Sequence, residues 1–301
     1  MNKCRNCGSV EVRDLGFIGE VAPFFLKRVF NIETRTVSSA KPIKRFVQSI
    51  TTAPQKAISR IHRNAAVVEI QACTTCSFVQ TKHGFADESL NNLYRDYRSD
   101  TYNQERIHYE PSYRGIAEQV GSGHKETQTR IDTLTDWLRG KIVPGGDFSM
   151  LDYGGADGRF LPRIPGKKYV YEISDIAVAD GIVPIRNESE LNSYTYIQLA
   201  HILEHVSNPL ELVKRVSRWL APGGYLYIEV PQDFDNDRVN QLGTGTYRGS
   251  VPIHEHINLY TVRSIAKLME SAGFESVNVE AVFLDLGWTC TTNIRALGKK
   301  L

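Results

Sequence analysis

A short apolar stretch that runs into a glycine-rich turn constrains the fold of this chain more than any other feature. Residues 151–160 read Leu-Asp-Tyr-Gly-Gly-Ala-Asp-Gly-Arg-Phe, the pattern of a strand, a tight turn and the start of a helix. Glycines let the backbone approach a ligand closely, and the first N–H groups of the expected helix would point to the same place. Glu172 follows Asp152 by twenty residues, at the end of a second apolar run, where a carboxylate can accept both hydroxyls of a ribose. The pattern predicts an α/β protein that holds a nucleotide-like ligand at this turn.

The second half of the chain alternates helix and strand patterns from about residue 127. This alternation is typical of a parallel sheet with crossover helices. The predicted strands end at Tyr153 and at Ile173 and cover 182–185, 194–199, 225–230, 277–283 and 289–297. The predicted helices end at Leu138, run over 209–220 and 262–272, and include a short one after the glycine turn that Pro162 and Pro165 break.

Length and composition indicate a globular protein. The chain has 301 residues, of which 41% are hydrophobic, enough for a sizeable core. No stretch approaches the roughly 18 unbroken apolar residues of a membrane span, and the first residues lack the apolar core of a signal peptide. A cytoplasmic location is therefore expected. Five cysteines in a chain of this length are too few for a disulfide scaffold.

Four of the five cysteines form two C-x-x-C pairs, Cys4 with Cys7 and Cys73 with Cys76. Each pair can offer two thiolates to one side of a tetrahedral zinc ion. Enclosing the 65 residues between the pairs, rather than about 15, costs only about 1.3 kcal/mol of loop-closure entropy. A structural zinc site contributes roughly 10 kcal/mol or more, and four protein ligands leave no open position, so a structural zinc is predicted. The alternative is thiols that are buried or redox active, and Cys290 is expected in the core.

The segment between the cysteine pairs is strongly basic. Residues 27–63 contain nine Lys or Arg and one acid, Glu33. Such an excess is typical of a surface that meets an anionic partner, and equally of a solvated face. Apolar residues at helical spacing over 43–50 predict a basic amphipathic helix, with a second short helix around Ile58 and Ile61.

Two histidine motifs carry possible chemistry. The first, residues 201–205, reads H-I-L-E-H, the inverted zinc-protease signature, which needs both histidines on one face of a helix. The motif directly follows a predicted strand and precedes Asn208-Pro209, which leaves little room for a helix. A loop at the end of the strand, beside the ligand, is therefore the favoured interpretation.

The second histidine motif, residues 254–260, reads H-E-H-I-N-L-Y and lies in the long loop after the strand at 225–230. That loop leaves the carboxyl edge of the sheet, where open α/β sheets place their ligands. A histidine next to a carboxylate has the parts of a general base, because the carboxylate can orient a ring that titrates near neutral pH. A histidine that merely bonds to neighbouring backbone is the alternative.

In this order, the motifs resemble those of class I S-adenosylmethionine (SAM)-dependent methyltransferases over about residues 125–300. The resemblance rests on the glycine turn, Glu172, the motif at 201–205 before Asn208-Pro209, the segment Ala221-Pro222-Gly223-Gly224 before a strand, and residues 254–260. It implies a Rossmann-like, seven-stranded methyltransferase sheet that ends in an antiparallel hairpin. It also implies SAM as the cofactor.

The N-terminal part resembles the zinc-binding front end of the sugar C-methyltransferases. Residues 4–8, 73–80 and 93–99 carry this similarity. In that family a Glu-His pair lies over the sugar and the histidine is a candidate base, which corresponds here to Glu255 and His256. A tyrosine near the position of Tyr97 is expected to face the substrate.

The resemblance also implies roles for the remaining site residues. Asp152, Gly154, Gly155 and Gly158 are expected at the amino-acid end of SAM, Glu172 at its ribose, and His201 near its sulfur end. The predicted organisation is a zinc-binding module with a basic insert at 1–85, a connecting, substrate-facing segment at 86–124 and the methyltransferase domain at 125–301.

The expected acceptor is an anionic sugar, either a nucleotide-sugar or a surface glycan precursor. Methylation of carbon and of oxygen both stay open, as does the oligomeric state. A rival class is an NAD-type oxidoreductase, although the turn lacks the G-x-G-x-x-G spacing suited to a pyrophosphate. Another is a non-catalytic binding module that docks on an anionic partner. Residues 41–63 are the candidate contact with a membrane surface, and nucleic acid is not favoured as a partner.

Overall fold

The computed structural model describes residues 3–33, 58–62, 65–97, 99–119, 124–174 and 176–301. The chain divides into two compact units. Unit 1 comprises residues 1–120, 204–207 and 234–259. Unit 2 comprises residues 121–203, 208–233 and 260–301.

The helices and strands are numbered in chain order. They are β1 (Val12–Val21), α1 (Pro23–Phe30), β2 (Ile58–His62), β3 (Ala65–Cys73), β4 (Val79–Thr81), α2 (Asp87–Tyr94), α3 (Asp100–Tyr109), α4 (Arg114–Ala117), α5 (His124–Leu138), β5 (Ser149–Tyr153), β6 (Lys167–Tyr171), β7 (Ile182–Ile185), β8 (Tyr194–Ala200), α6 (Pro209–Val216), β9 (Leu220–Pro231), α7 (Asn236–Thr244), β10 (Val251–Ile253), β11 (Asn258–Leu259), α8 (Val262–Ser271), β12 (Phe274–Asp285) and β13 (Cys290–Lys300).

Unit 2 is built on a seven-stranded sheet with the order β12-β13-β9-β8-β5-β6-β7. Strands β5 to β9 pair in parallel, and β13 runs antiparallel to both β9 and β12. Leu151, Ile197 and Ile228 of the central strands are fully buried, as expected for a parallel sheet covered on both faces. The predicted seven-stranded α/β sheet with its closing antiparallel hairpin is therefore confirmed.

The helix boundaries of unit 2 follow local signals in the sequence. Helix α6 begins at Pro209, which suits the first turn because its missing N–H needs no partner there. Thr261 and Ser264 form a capping box at the start of α8, and Gly273, with φ of 85°, follows the end of that helix. The helix predicted over 262–272 is thus confirmed to within one residue.

The helix predicted after the glycine turn is wrong. Residues 154–166 form turns and bends between β5 and β6. Pro162 and Pro165 each remove an N–H donor within four residues of one another, so a regular helix has no room to propagate. Closely spaced turns, such as the one closed by the Gly158 N–H and the Gly155 carbonyl at 2.9 Å, replace it.

Unit 1 contains a second, smaller sheet with the order β10-β1-β3-β4-β11, and β2 also pairs with β3. Helix α1 inserts Phe24, Phe25 and Leu26 into the core of this unit. Strand β10 lies parallel to β1, with Val251 beside Gly19, so residues 234–259 complete a sheet that begins near the N-terminus. These compact units differ from the predicted boundaries, because residues 86–120, 204–207 and 234–259 group with the N-terminal module.

Three further expectations concern the insert, the membrane and Cys290. The amphipathic helix predicted over 43–50 lies outside the described residues. The second short helix is wrong, since Ile58–His62 forms a strand whose Ile58 pairs with Val68. Cys290 is exposed rather than buried, since it opens β13 directly after the hairpin turn. None of the described helices has the length and apolarity needed to cross a membrane.

Candidate functional site

The glycine turn follows β5 directly and curls tightly. Gly154, Ala156 and Gly158 have φ values of 72°, 52° and 76°, in the left-handed region that favours glycine. A side chain at Gly154 would meet Ile202 at 2.6 Å, and one at Gly155 would overlap the carboxyl group of Asp152. The side chains of Ile202 and Asp152 therefore leave no room for a side chain at Gly154 or Gly155.

Asp152 lies at the end of β5 beneath this turn and is only 1% exposed. Burial raises the pKa of its carboxyl group to about 7, and the neighbouring Gln198 amide and Arg130 guanidinium oppose this rise. Among the described residues, none donates a hydrogen bond to its Oδ1 atom. A buried carboxylate oxygen of this kind can accept from a cationic or N–H group of a ligand.

Glu172 lies at the end of β6, and the fold brings it to the glycine turn. Its Oε2 accepts from the N–H of Ala156 at 3.2 Å, and its Oε1 accepts from the N–H of Ser174 at 2.9 Å. The structure thus brings together Asp152, the glycines and Glu172, which the sequence grouped as one cofactor-binding set. The carboxyl ends of parallel strands are where α/β sheets bind ligands.

His201 follows β8 and has a φ of 56°, unusual for a residue with a side chain. Its Nε2 lies 3.2 Å from Oε1 of Glu229 in β9 and 3.3 Å from the Asn293 amide in β13. The contacts with Glu229 and Asn293 hold the ring at the carboxyl end of β8.

Glu229 is the centre of a buried polar network that the sequence analysis did not identify. Its Oε2 accepts from the Tyr227 hydroxyl at 2.5 Å and from Nε of Arg295 at 2.7 Å. Burial opposes ionisation, yet the hydrogen bond from His201 and the charges of Arg295 and Arg130 hold the pKa of Glu229 well below its usual range. Glu229 is the one charged residue of β9, and Arg295 lies between the apolar residues Ile294 and Ala296 of β13. This was the available signal, since such residues are buried only when paired.

Arg130 of α5 is the other polar residue that the sequence analysis missed. Its guanidinium lies 4.1 Å from the centre of the Phe160 ring and 3.7 Å from Oε1 of Glu229. Arg130, Phe160 and Gln198 border the same small recess of unit 2. A fixed cation beside the buried Asp152 suits a ligand that carries charges of both signs.

In unit 1, the four predicted cysteine ligands come together. The Sγ atoms of Cys4 and Cys76 are 3.7 Å apart, as are those of Cys7 and Cys73. Four sulfurs at the usual zinc–sulfur distance of about 2.3 Å form a tetrahedron with edges of about 3.8 Å. The separations therefore fit a tetrahedral metal ion.

The two cysteine turns have matching backbones. The N–H groups of Gly8 and Ser77 donate to the carbonyls of Cys4 and Cys73, each at 2.8 Å. Both Gly8 and Ser77 have positive φ values, 77° and 63°. Contact with Cys73 raises the pKa of Cys4, whereas contact with Cys4 lowers the pKa of Cys73, so the thiols do not ionise together without a cation.

Glu255 and His256 lie in unit 1, between β10 and β11. Glu255 accepts hydrogen bonds from the Tyr102 hydroxyl at 2.7 Å and from Arg106 at 2.5 Å. Burial works against ionisation of Glu255, but the charge of Arg106 lowers its pKa, so the carboxylate is charged. The ring of His256 contacts the ring of His205 edge to face, with 5.2 Å between centroids.

Tyr97 presents its ring at the surface of unit 1, with 41% of the residue exposed. Its ring packs edge-on against those of Tyr94 and Tyr102, with centroid distances of 5.8 and 5.2 Å. The hydroxyl of Tyr94 lies 2.8 Å from Nδ1 of His205. The structure therefore groups Tyr97 with the Tyr102–Glu255 pair and the two histidines.

The zinc-protease interpretation of residues 201–205 is wrong. The segment is a turn instead of a helix, and α6 begins only at Pro209. His201 belongs to unit 2 and contacts Glu229, whereas His205 belongs to unit 1 and contacts Tyr94. The two histidines therefore do not share the helical face that this chemistry needs.

Comparisons with known proteins define the class of this chain. A family model described as a methyltransferase domain matches residues 123–279, which is more than half of the chain. The chain belongs to this methyltransferase-domain family. The protein is therefore a methyltransferase with a seven-stranded sheet, and the oxidoreductase alternative is set aside.

Several solved structures are similar in fold. The 1,6-didemethyltoxoflavin-N1-methyltransferase of Burkholderia thailandensis is 14% identical with a TM-score of 0.46, over 74% of this chain and 94% of that one. The magnesium protoporphyrin IX methyltransferase of Synechocystis PCC 6803 is 14% identical with a TM-score of 0.45, over 70% and 100%. The N-methyltransferase NodS of Bradyrhizobium japonicum WM9 is 15% identical with a TM-score of 0.39, over 63% and 98%. No curated protein matches the sequence.

Proposed function

We propose that this enzyme transfers a methyl group from SAM to a sugar, carried by a nucleotide or by a glycan precursor. The observation that carries the proposal is the tyrosine and histidine group of unit 1, in which exposed Tyr97 lies beside Tyr102 and Tyr102 bonds to Glu255. Aromatic rings present the flat, apolar faces on which sugar rings stack, and the neighbouring polar groups can bond to hydroxyls.

Residues of unit 2 fit the cofactor. Asp152 offers a buried carboxylate oxygen to an ammonium group, and Gly155 lies directly against that carboxyl group, where a side chain would not fit. The Glu172 carboxylate at the neighbouring strand end suits the two hydroxyls of a ribose, and His201 is assigned to the sulfur end. When bound, SAM supplies a methyl group activated on a positively charged sulfur.

Deprotonation of the acceptor is assigned to His256. Its imidazole accepts the proton of a sugar hydroxyl, or of a carbon next to a keto group, as the acceptor atom takes the methyl group. Glu255 stabilises the resulting imidazolium electrostatically and is itself held by Tyr102 and Arg106. In-line transfer needs no metal ion, so this chain contributes alignment and proton removal.

The acceptor class is tested by incubating the full-length protein with SAM and a panel of nucleotide-sugars, and measuring product masses. We expect one sugar to gain the mass of one methylene while S-adenosylhomocysteine (SAH) forms in equal amount. A matched panel of small amines and phenols serves as the comparison. Methylation of that panel alone, with every sugar unchanged, would refute the sugar assignment.

We also propose that the four cysteines bind one structural zinc ion. Their sulfur separations and the matched turns at Gly8 and Ser77 support this. Metal analysis of the purified protein should give at least one zinc per chain, and Cys73→Ser should lose one equivalent together with several kcal/mol of unfolding free energy. Cys290→Ser, at the exposed cysteine, is the matched control and should retain the zinc. A folded protein that contains no zinc would contradict the proposal.

A further inference from the structure

A second group of potential metal ligands lies in unit 1, besides the four cysteines. Ligand atoms of Glu204, His205 and His256 all lie within 4.8 Å of one another. The Nε2 atom of His205 is 3.8 Å from Oε1 of Glu204, which is fully buried. We propose that these three residues bind a divalent transition-metal ion, and that the bound ion inhibits methyl transfer.

The backbone holds the three ligands side by side. The carbonyl of Glu204 accepts from the N–H groups of Ile257 and Asn258 at 2.9 and 3.2 Å. The side-chain amide of Asn258 donates to the carbonyl of Val206 at 2.6 Å. Residues 204–206 and 256–258 are therefore held next to each other by the backbone. The segments that supply the three ligands are in place before an ion binds.

Hydrogen bonds also orient the His205 ring for metal binding. Its Nδ1 lies 2.8 Å from the Tyr94 hydroxyl oxygen and 3.0 Å from the Glu255 carbonyl oxygen. The Tyr94 hydroxyl donates its own hydrogen to that carbonyl, at 3.1 Å, so both oxygens accept from Nδ1–H. This arrangement leaves the lone pair on Nε2, the atom near Glu204. Metal-binding histidines are typically supported in this way.

The ligand set selects the class of metal. Two imidazole nitrogens and one carboxylate suit zinc, cobalt, nickel or ferrous iron better than magnesium or calcium. A tetrahedral ion with bonds of about 2.0 to 2.1 Å places its ligand atoms about 3.3 Å apart. Glu204 and His205 need to approach by only about half an ångström to reach that geometry, and half-buried His256 completes the site by rotating.

Inhibition by the bound metal ion follows from the chemistry of His256. This inhibitory role rests on the proposed function. A metal ion takes the imidazole lone pair that would otherwise accept the proton of the acceptor. While the ion is bound, His256 is a ligand and no base is available. Release of the ion restores the base, with no change in oxidation state of any group.

Cobalt binding tests the site without turnover. The full chain, with its cysteines loaded with zinc, is titrated with Co²⁺ and followed by absorption. We expect one additional Co²⁺ per chain, with visible bands but without the intense near-ultraviolet band of cobalt–thiolate bonds. His256→Gln, at a half-buried position, and Glu204→Gln should weaken binding by more than about tenfold. His254→Ala, two residues away with a side chain 56% exposed, is the matched control and should bind normally.

Absence of an additional Co²⁺, or equal binding by the wild type, Glu204→Gln and His256→Gln, would overturn the site. Circular dichroism shows that each variant is folded before it is compared. In the methyl-transfer assay, Co²⁺ should inhibit the wild type, and Glu204→Gln should be active and resistant. Activation by Co²⁺, or equal inhibition of both proteins, would refute the inhibitory role. The titration needs no acceptor, so an incorrect assignment of the methyl transfer would leave its result unaffected.

Discussion

The carboxyl group of Asp152 makes the free enzyme sensitive to pH. Burial raises its pKa from 3.8 to about 7, so the folded state binds a proton more tightly than the unfolded state does. The free energy of unfolding therefore decreases as the pH rises from about 4 to about 7, and the carboxylate remains unfavourable above that range. A cationic ligand that binds next to the carboxylate offsets this loss of unfolding free energy.

Asp152→Asn should stabilise the ligand-free protein at pH 8, by up to about 4 kcal/mol, because the neutral amide avoids burial of a charge. The difference from the wild type should vanish below about pH 4, where the carboxyl group is protonated in both states. Affinity for SAM should fall at the same time, since the amide lacks the charge that attracts the ammonium group. Denaturant unfolding at several pH values, with calorimetric titration of SAM, measures both effects. A variant less stable than the wild type at pH 8 would show that the carboxylate is paired instead.

Glu229 provides the opposite case, a buried carboxylate that its neighbours keep ionised. Glu229→Gln should destabilise the protein by about 3 to 5 kcal/mol, because fully buried Arg295 loses its counter-charge. Glu270→Gln, which removes the exposed ion pair with Lys267, is the matched control and should change stability by less than about 0.5 kcal/mol. Urea unfolding compares the two variants, and equal stability losses would show that the network around Glu229 contributes little.

Individual strands and helices show which parts of the fold could be predicted from the sequence. The strands β5 and β8 were predicted because most of their residues are apolar or aromatic, as is typical of a centrally placed parallel strand. Helix α7 was missed, since only Val239 and Leu242 in it are buried apolar residues. Its signals were the Asp235 side chain, which accepts from the Arg238 N–H at 2.7 Å, and Gly245 at its end. Short strands such as β10 carry too few residues for a periodic pattern.

The glycine turn after β5 is the proposed binding site of the cofactor. Gly155→Ala should abolish measurable SAM binding, because the added methyl group displaces the Asp152 carboxyl group. Gly146→Ala is the matched control, since a side chain at Gly146 meets nothing within 4 Å. Calorimetric titration of both variants with SAM measures the effect. Wild-type affinity in Gly155→Ala would exclude this turn as the cofactor site.

At the scale of the whole molecule, contacts between distant parts of the sequence limited the prediction. The proximity of Asp152, the glycines and Glu172 in unit 2 was predictable because they lie within about twenty residues along one strand-turn-strand path. The grouping of residues 234–259 with the N-terminal unit depends on the pairing of β10 with β1. The ion pair between Arg106 and Glu255 joins residues 149 positions apart, and no local pattern encodes such a contact.

The central claim is that this methyltransferase removes the acceptor proton with His256 while other residues hold SAM. The most direct measurement is methyl transfer by His256→Ala, alongside its affinity for SAH, on the sugar that the wild type methylates. We expect turnover to fall by at least about a hundredfold, in line with the loss of a general base, and SAH affinity to stay within a few-fold of the wild type. Turnover equal to that of the wild type would contradict the claim.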